Sequence, residues 1–182
     1  MLSRNKMNHS NTLNIRQEQT KDHQDVYQIN KQAFGQEPEA NLVDALRQSD
    51  AFVPELSLVA ELENQLVAHI LFTKIKVVNG EKETESLALA PMEVSETYQK
   101  QGIGGQLIRE GLKRATALGF GSVIVLGHEH YYPKFGFEPA SKWGIKVPFE
   151  VPDEVFMAIE LIPNALENVN GTVEYPKEFE DV

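Results

Sequence analysis

The chain of 182 residues contains no cysteine, and basic side chains are scarce beside acidic ones. Without cysteine there can be no disulfide bridge, thiolate metal site or cysteine nucleophile. Lysine and arginine number 17 against 27 aspartates and glutamates, which gives a net charge of −10. A protein that binds nucleic acid should present a basic face, so this balance argues against that class and is compatible with a cationic substrate.

Long hydrophobic runs are also missing, since no apolar stretch reaches the ~20 residues of a membrane-spanning helix. Residues 1–12 are polar and lack the apolar segment of a secretory signal. We therefore expect a cytoplasmic protein with no membrane partner and a flexible tail over residues 1–12. The hydrophobic share of 41% and the charged share of 24% are ordinary for one globular domain.

The central stretch, residues 87–120, predicts a strand, a glycine turn and a helix. Leu87–Val94 is an apolar run without a helical stripe, which is typical of a buried strand. The turn Gly102–Gly105 follows, and apolar residues then recur at helical spacing from Leu107 to Leu118. The first N–H groups of such a helix have no backbone acceptor, and glycine lets a phosphate approach them. A tight turn without a ligand is the alternative.

Two common phosphate-binding motifs do not fit this turn. A dinucleotide fingerprint requires a third glycine where Leu107 stands, and an acidic residue about 20 positions after Gly102, where there is none. A Walker loop requires Lys-Ser/Thr where Gln106 and Leu107 stand. The phosphate-binding motifs of an enzyme that uses ATP or NAD are therefore absent from this turn.

The hexamer Gln99-Lys100-Gln101-Gly102-Ile103-Gly104 resembles the Q/R-x-x-G-x-G/A pyrophosphate loop of the GNAT superfamily of acyl-CoA N-acyltransferases. Its setting strengthens the resemblance, because a short β-branched strand at Ser122–Leu126 and the segment YYPKFGF at Tyr131–Phe137 follow in the family's order. That segment is similar to the family's Y-x-K-x-G-F signature. The likeness covers roughly Leu13–Leu161 and is greatest for a small bacterial branch with a YYPKFGF-type segment.

The resemblance implies an α/β (α+β) fold with a mixed, mostly antiparallel sheet of about seven strands, four helices and one right-handed βαβ unit. We expect the domain to span residues 13–162, with an acidic extension over residues 163–182. In that extension Gly171–Tyr175 predicts an exposed edge strand, which makes a homodimer plausible, and Glu178–Val182 is expected to fray. Pro91 inside the central strand predicts a bulge or splay, and the family has a bulge there that parts strands four and five.

The remaining elements follow from local patterns. Asp22 is the expected N-cap of a helix ending at Phe34, with Val26, Ile29, Ala33 and Phe34 facing inward. Further predicted elements are a strand at Leu13–Gln19, a helix at Pro38–Gln48, and strands at Leu56–Leu62, Leu66–Val78 and Glu154–Leu161. Asn79-Gly80 is a strong turn signal. His69 lies in the middle of a strand, and we interpret it as structural.

By the same resemblance, backbone groups of the central strand bind the pantetheine arm of acetyl-CoA, and the turn binds its pyrophosphate. The predicted cofactor-binding residues are Met92, Glu93, Val94, Gln99, Lys100, Gln101, Gly102, Ile103, Gly104 and Gly105. The family often has proline where Glu96 stands, a departure that should alter the turn and not the backbone contacts. No metal is expected, because two histidines at the spacing of His128 and His130 point to different faces.

Tyr132 matches the family tyrosine that protonates the departing CoA thiolate. A thiolate, of thiol pKa about 8.5, leaves more easily when a positioned acid stabilises it, and a phenol of pKa about 10 can donate that hydrogen bond. Glu93 is the candidate base that removes a proton from the attacking amine, directly or through water. The structural alternatives are a core aromatic for Tyr132 and an exposed or capping carboxylate for Glu93.

The sequence thus predicts an N-acetyltransferase that moves an acetyl group from acetyl-CoA to an amine by direct attack. A catalytically silent acyl-CoA-binding module is the alternative. The acceptor stays open, from a small-molecule amine to a peptide or protein amine. Side chains of the two early helices form one wall of the family's acceptor site, and those that could face the acceptor, or else solvent, are Glu37, Glu39, Asn41 and Arg47.

Overall fold

The computed structural model describes residues 12–182, so all but the last residue of the predicted tail lies outside the described residues. The described chain forms nine strands and three α-helices. The helices are α1 (His23–Phe34), α2 (Pro38–Arg47) and α3 (Ile103–Ala117). The strands are β1 (Asn14–Gln17), β2 (Phe52–Leu62), β3 (Gln65–Asn79), β4 (Lys82–Val94), β5 (Ser122–Leu126), β6 (Glu138–Pro139), β7 (Ile145–Lys146), β8 (Phe156–Glu160) and β9 (Gly171–Glu174).

All strands belong to one mixed sheet, whose main order is β1-β2-β3-β4-β5-β8-β6. The neighbours in this order pair antiparallel except β4 and β5, which are parallel and are joined by α3 in the predicted βαβ unit. The α/β fold class is confirmed, with nine strands and three α-helices where about seven and four were expected. None of the described helices has the length and apolar character needed to cross a membrane.

The centre of the sheet is buried on both faces. On β2 and β3, alternate residues belong to different clusters: Leu58 and Phe72 pack with α3, whereas Val59 and Leu71 pack with α1 and α2. Because neighbouring strand residues point to opposite faces, α3 covers one face and the other two helices cover the opposite one. Gly111 lets α3 approach closely, since a Cβ there would lie 2.2 Å from the Phe72 ring.

The bounds of α1 agree with the prediction, but contacts at its two ends do not. Asp22 occupies the N-cap position, as predicted, but its side chain makes no capping hydrogen bond, because its carboxylate accepts hydrogen bonds from both terminal nitrogens of Arg16, at 2.7 and 2.9 Å. A bidentate guanidinium is a stronger partner than a helical N–H. Ala33 and Phe34 are exposed, so the expectation that they face inward was wrong. The last turn of α1 borders an open cleft, and Asn30 is buried instead.

The end of the chain is part of the fold. β9 pairs antiparallel with β3 at Lys76–Val78 and parallel with β7. It is therefore an inner strand, and the expected exposed edge was wrong. Residues Lys177–Asp181 form a 3₁₀ helix whose Phe179 packs against the α1–α2 cluster, so the predicted fraying was also wrong. This segment was misjudged because its stability comes from partners that are remote in sequence.

Candidate active site

The two parallel strands β4 and β5 separate near the middle of the sheet. They pair only at Leu87 with Val123 and at Ala88 with Ile124. Further along, β4 carries a bulge, because its register against β3 shifts between the pairs Leu89–Phe72 and Met92–Ile70. The shift falls on Ala90 and Pro91, where the sequence predicted it. On the side of β5, no described strand pairs with β4 after Ala88, so the backbone from Met92 to Val94 borders a gap.

The glycine turn lies beside this gap. Lys100 and Gly102 adopt left-handed backbone conformations, with φ of 63° and 80°, and Gly102 directly precedes α3. The first helical hydrogen bond runs from the Gln106 N–H to the Gly102 carbonyl at 3.1 Å. The N–H groups of Ile103, Gly104 and Gly105 therefore have no acceptor within the helix.

Small side chains in the turn let other elements pack on the start of α3. A Cβ on Gly104 would lie 3.0 Å from the Tyr131 hydroxyl and 3.5 Å from the Met92 side chain. The Gln99 side chain donates a hydrogen bond of 3.1 Å to the Val94 carbonyl, which ties the turn to β4. The structure thus brings together the strand, the turn and the YYPKFGF segment. The Gln101 side chain donates a long hydrogen bond of 3.5 Å to the Thr97 carbonyl, just before the turn.

Tyr132 begins the 3₁₀ helix Tyr132–Phe135 and lines the cleft, although only 8% of it is exposed. Its ring lies edge-on to Tyr131 at 5.2 Å and to Phe137 at 5.6 Å. A Cβ on Gly127 would lie 2.3 Å from this ring, so glycine is required there. Burial raises the pKa of Tyr132, so its phenol stays protonated at neutral pH. Tyr132 is thus a packed aromatic residue with a neutral phenol, and it lines the cleft.

Glu93 lies in the same cleft and is half-buried. Burial, with a further contribution from the negative charge of Glu39, raises the pKa of Glu93 to about 7. A carboxyl group with this pKa can exchange protons near neutral pH. The negative charge of Glu93 also contributes to the raised pKa of Tyr132, so the two groups interact electrostatically. The two side chains that the sequence singled out as acid and base thus meet in one cavity.

The cavity has a volume of about 1250 Å³. Its walls come from the separated strands, the end of α1 and start of α2, the loop at Pro148 and Phe149, and the chain from Thr172 onward. The last of these walls contains Glu174, Tyr175 and Phe179, which the sequence analysis missed. The apolar spacing in Gly171–Tyr175 indicated a strand there but could not reveal that β9 pairs with β3.

Of the four side chains proposed to face an acceptor, one lines the cleft. Glu39 lines the cleft. Glu37 pairs with Lys31 at 3.0 Å, and Asn41 accepts a hydrogen bond from the Tyr27 hydroxyl at 3.1 Å. Arg47 is buried and donates to both carboxylate oxygens of Glu18, at 2.8 and 2.9 Å, so its role is structural.

His69 belongs to the same buried cluster as Arg47. Its Nε2 lies 3.0 Å from the Ser57 hydroxyl, and its Nδ1 lies 3.4 Å from the Asn30 amide nitrogen. Burial lowers the pKa of His69 to about 4, so the ring is neutral. Its predicted structural role agrees with this setting. Within the described part of the chain, no group of three or more His, Asp or Glu side chains is placed to hold a metal ion.

Comparison with known proteins identifies the family. Residues 23–137 match the model of the Acetyltransferase (GNAT) family. The uncharacterized N-acetyltransferase YjhQ of Escherichia coli (strain K12) is 41% identical over 135 residues, which cover 73% of this chain and 74% of YjhQ. The chain therefore belongs to the GNAT family of acetyltransferases, and the family and enzyme class predicted from the sequence are confirmed.

Solved structures show the same fold. The GNAT N-acetyltransferase YhbS from Escherichia coli, in complex with CoA, superimposes with a TM-score of 0.85 at 30% identity, covering 92% of this chain and 91% of YhbS. A GNAT acetyltransferase from Brucella melitensis in complex with acetyl-CoA gives a TM-score of 0.76 at 31% identity, covering 93% of this chain and 99% of that one. Both proteins hold the kind of cosubstrate that the sequence predicted.

We predict that Arg47→Met destabilises the protein without changing the Michaelis constant for an amine. The substitution removes the arginine partner of the Glu18 carboxylate, whose side chain is 3% exposed, and leaves it beside the rings of His23 and His69, at 3.4 and 3.5 Å. Loss of one member of a buried pair costs about 3–5 kcal/mol of unfolding free energy. Denaturant titration measures this loss.

The matched control is Lys76→Met, which breaks the exposed pair with Glu83. Surface pairs contribute about 0–1 kcal/mol, so this variant should unfold almost as the parent does. If Arg47→Met kept the stability of the parent and raised the Michaelis constant for the amine, Arg47 would belong to the acceptor site and its structural role would be wrong.

Proposed function

We propose that the protein transfers an acetyl group from acetyl-CoA to an amine by direct attack within a ternary complex. The observation that carries the proposal is the position of three features around one gap: the free N–H groups at the start of α3, the unpaired side of β4, and the cleft with Tyr132 and Glu93. The CoA and acetyl-CoA held by the two solved relatives support it.

In this proposal the cosubstrate fills the gap in two parts. The pantetheine arm pairs with the backbone of Met92, Glu93 and Val94 as an added strand would. The pyrophosphate lies at the start of α3, where N–H groups and the helix dipole favour an anion. Lys100, which is exposed in the turn, adds a positive charge beside it.

The chemistry then needs one base and one acid. The amine nitrogen attacks the thioester carbonyl and forms a C–N bond, and its proton goes to Glu93 directly or through water. The tetrahedral intermediate collapses with cleavage of the C–S bond, and Tyr132 gives its proton to the departing thiolate. The products are the acetylated amine and CoA, and both side chains recover their protonation states from solvent.

The cytoplasmic location and a homodimer stay predictions.

We expect acetyl-CoA, but neither ATP nor NAD, to raise the unfolding temperature. A ligand at 100 times its dissociation constant adds about 2.7 kcal/mol of unfolding free energy. Gly104→Glu should abolish the rise, because it places a carboxylate among the N–H groups that hold the pyrophosphate. Differential scanning fluorimetry measures both effects.

Thr116→Glu is the control for that substitution, since it adds the same charge to an exposed position near the other end of α3. This variant should keep the stabilisation by acetyl-CoA. Stabilisation by ATP or NAD alone would contradict the proposed function at its centre.

Tyr132→Phe should lower kcat roughly 100-fold, because it removes the acid and keeps the ring. The unfolding temperature should stay close to that of the parent, since the ring contacts with Tyr131 and Phe137 remain. Tyr27→Phe, which removes an exposed hydroxyl outside the cleft, is the control and should keep its kcat. An unchanged kcat in Tyr132→Phe would exclude the hydroxyl as the acid.

The rate should depend on the protonation of Glu93. Below its pKa of about 7 the carboxyl group is protonated and cannot accept a proton, so kcat/KM should rise with pH through this value. Glu93→Gln should remove this step, and Glu39→Gln should move it to lower pH, because the charge of Glu39 helps raise the Glu93 pKa. The measurement is the dependence of kcat/KM on pH, recorded for the parent and the variants with the same amine. A step caused by titration of the amine would be the same in all of them.

If Glu39→Gln leaves the midpoint in place while Glu93→Gln removes the step, Glu93 is the base but is not tuned by Glu39. If Glu93→Gln keeps the whole profile, the base is another group.

A further inference from the structure

The charged side chains that line the cleft have one sign. They are Glu39, Glu93, Glu174 and Glu180, and neither lysine nor arginine is among the lining residues of the described chain. His128 is the one lining side chain that can become positive. An acceptor that enters this cleft therefore meets carboxylates along its walls, while Lys76 lies outside the lining, opposite Glu174 in the pairing of β3 with β9.

Exposed apolar side chains also line this cleft. Phe34, Leu126 and Phe149 are 40%, 43% and 52% exposed, and all three line it. Large apolar side chains gathered at one site, rather than scattered, indicate a surface that binds an apolar group. Tyr175 and Phe179 extend this surface, with ring centroids 5.3 Å apart. Burial raises the pKa of Tyr175 to about 12, so it adds a neutral hydroxyl and no charge at neutral pH.

The backbone that carries Glu174 and Glu180 is packed into the fold. Glu174 ends β9, which pairs with β3, and Gly171 permits that pairing, since a Cβ there would lie 2.3 Å from the Val78 carbonyl oxygen. Glu180 belongs to the 3₁₀ helix whose Phe179 packs on the α1–α2 cluster. The C-terminal segment is thus a fixed wall that gives the cleft both charge and apolar surface.

We propose that the acceptor is a primary amine on an apolar aromatic or aliphatic skeleton that carries no carboxylate. The proposal rests on the acetyl transfer proposed above and specifies its second substrate. The ammonium form of such an amine is attracted by the negative side chains of the cleft, to which Glu93 contributes when it is ionised, and its skeleton covers the exposed rings of Phe34 and Phe149. An α-amino acid also brings a carboxylate, which would lie among like charges without a cation to bind it.

A matched set of acceptors tests this class: phenethylamine, phenylalanine and phenylalaninamide share one skeleton and differ at the carboxylate. We expect kcat/KM for phenethylamine to exceed that for phenylalanine at least about tenfold, equivalent to ~1.4 kcal/mol. Phenylalaninamide should recover most of the difference. Calorimetric titration of the same compounds in the presence of CoA should give the same order of affinities.

The double variant Glu174→Gln/Glu180→Gln should reduce the difference in kcat/KM between phenethylamine and phenylalanine. Glu55→Gln/Glu63→Gln removes the same charge from exposed positions outside the cleft and should preserve the difference. An unchanged difference in the first double variant would mean that the wall formed by the C-terminal segment does not select the acceptor.

The failures of the two proposals can be told apart. If acetyl-CoA stabilises the protein and phenylalanine is acetylated as well as phenethylamine, the acceptor class is wrong and the transfer reaction stands. The class is equally wrong if acetyl-CoA binds and only peptides are acetylated. If acetyl-CoA neither binds nor donates its acetyl group, the transfer function itself has failed.

Discussion

The separation of β4 from β5 after Ala88 is the constraint on which the site depends. If the parallel pairing continued, the backbone of β4 would be satisfied by a neighbouring strand and no ligand could pair with it. The bulge at Ala90 and Pro91 shifts the register of β4 against β3, so β4 stays in the sheet on one side while opening on the other. The chains leaving β4 and β5 lead to α3 and to Tyr132, so both meet at the carboxyl ends of the parallel strands, where α/β sheets bind ligands.

Among the described residues, the buried polar cluster behind the cleft contains no cation that would lower the raised pKa of Glu93. His69 and Glu93 are directly paired across β3 and β4, so their side chains lie on the same face of the sheet. A charged histidine there would lower the pKa of Glu93, but burial keeps His69 neutral. The charge of Arg47 is engaged by Glu18 and Asp44 and is not available to Glu93.

Local patterns predicted the elements around the proposed cosubstrate site, because these elements are continuous in sequence, and the family resemblance assigned them to acetyl-CoA. The strand at Ser122–Leu126, the glycine start of α3 and the bulge at Pro91 each follow from residues within a few positions. Local patterns gave wrong predictions where an element depends on residues that are distant in sequence. The helix pattern of α1 could not show that its last turn borders a cleft, so Phe34 was placed in the core. The residue spacing in α2 could not show that the Arg47 side chain packs against Glu18. Likewise, the sequence of β9 could not show that this strand lies between β3 and β7.

The two halves of the cleft therefore differ in how they are built. The parted strands, the turn and Tyr132 come from one stretch of about 45 residues, in which a change to any element disturbs the others through packing. The proposed acceptor half is assembled from the α1–α2 corner, the loop at Phe149 and the segment from Glu174 to Glu180, which meet only through tertiary contacts. Substitutions in this half can change charge and apolar surface while leaving the start of α3 and the ring of Tyr132 in place. Acceptor choice is thus physically separable from the transfer chemistry, and it depends most on the part of the chain whose structure was hardest to predict.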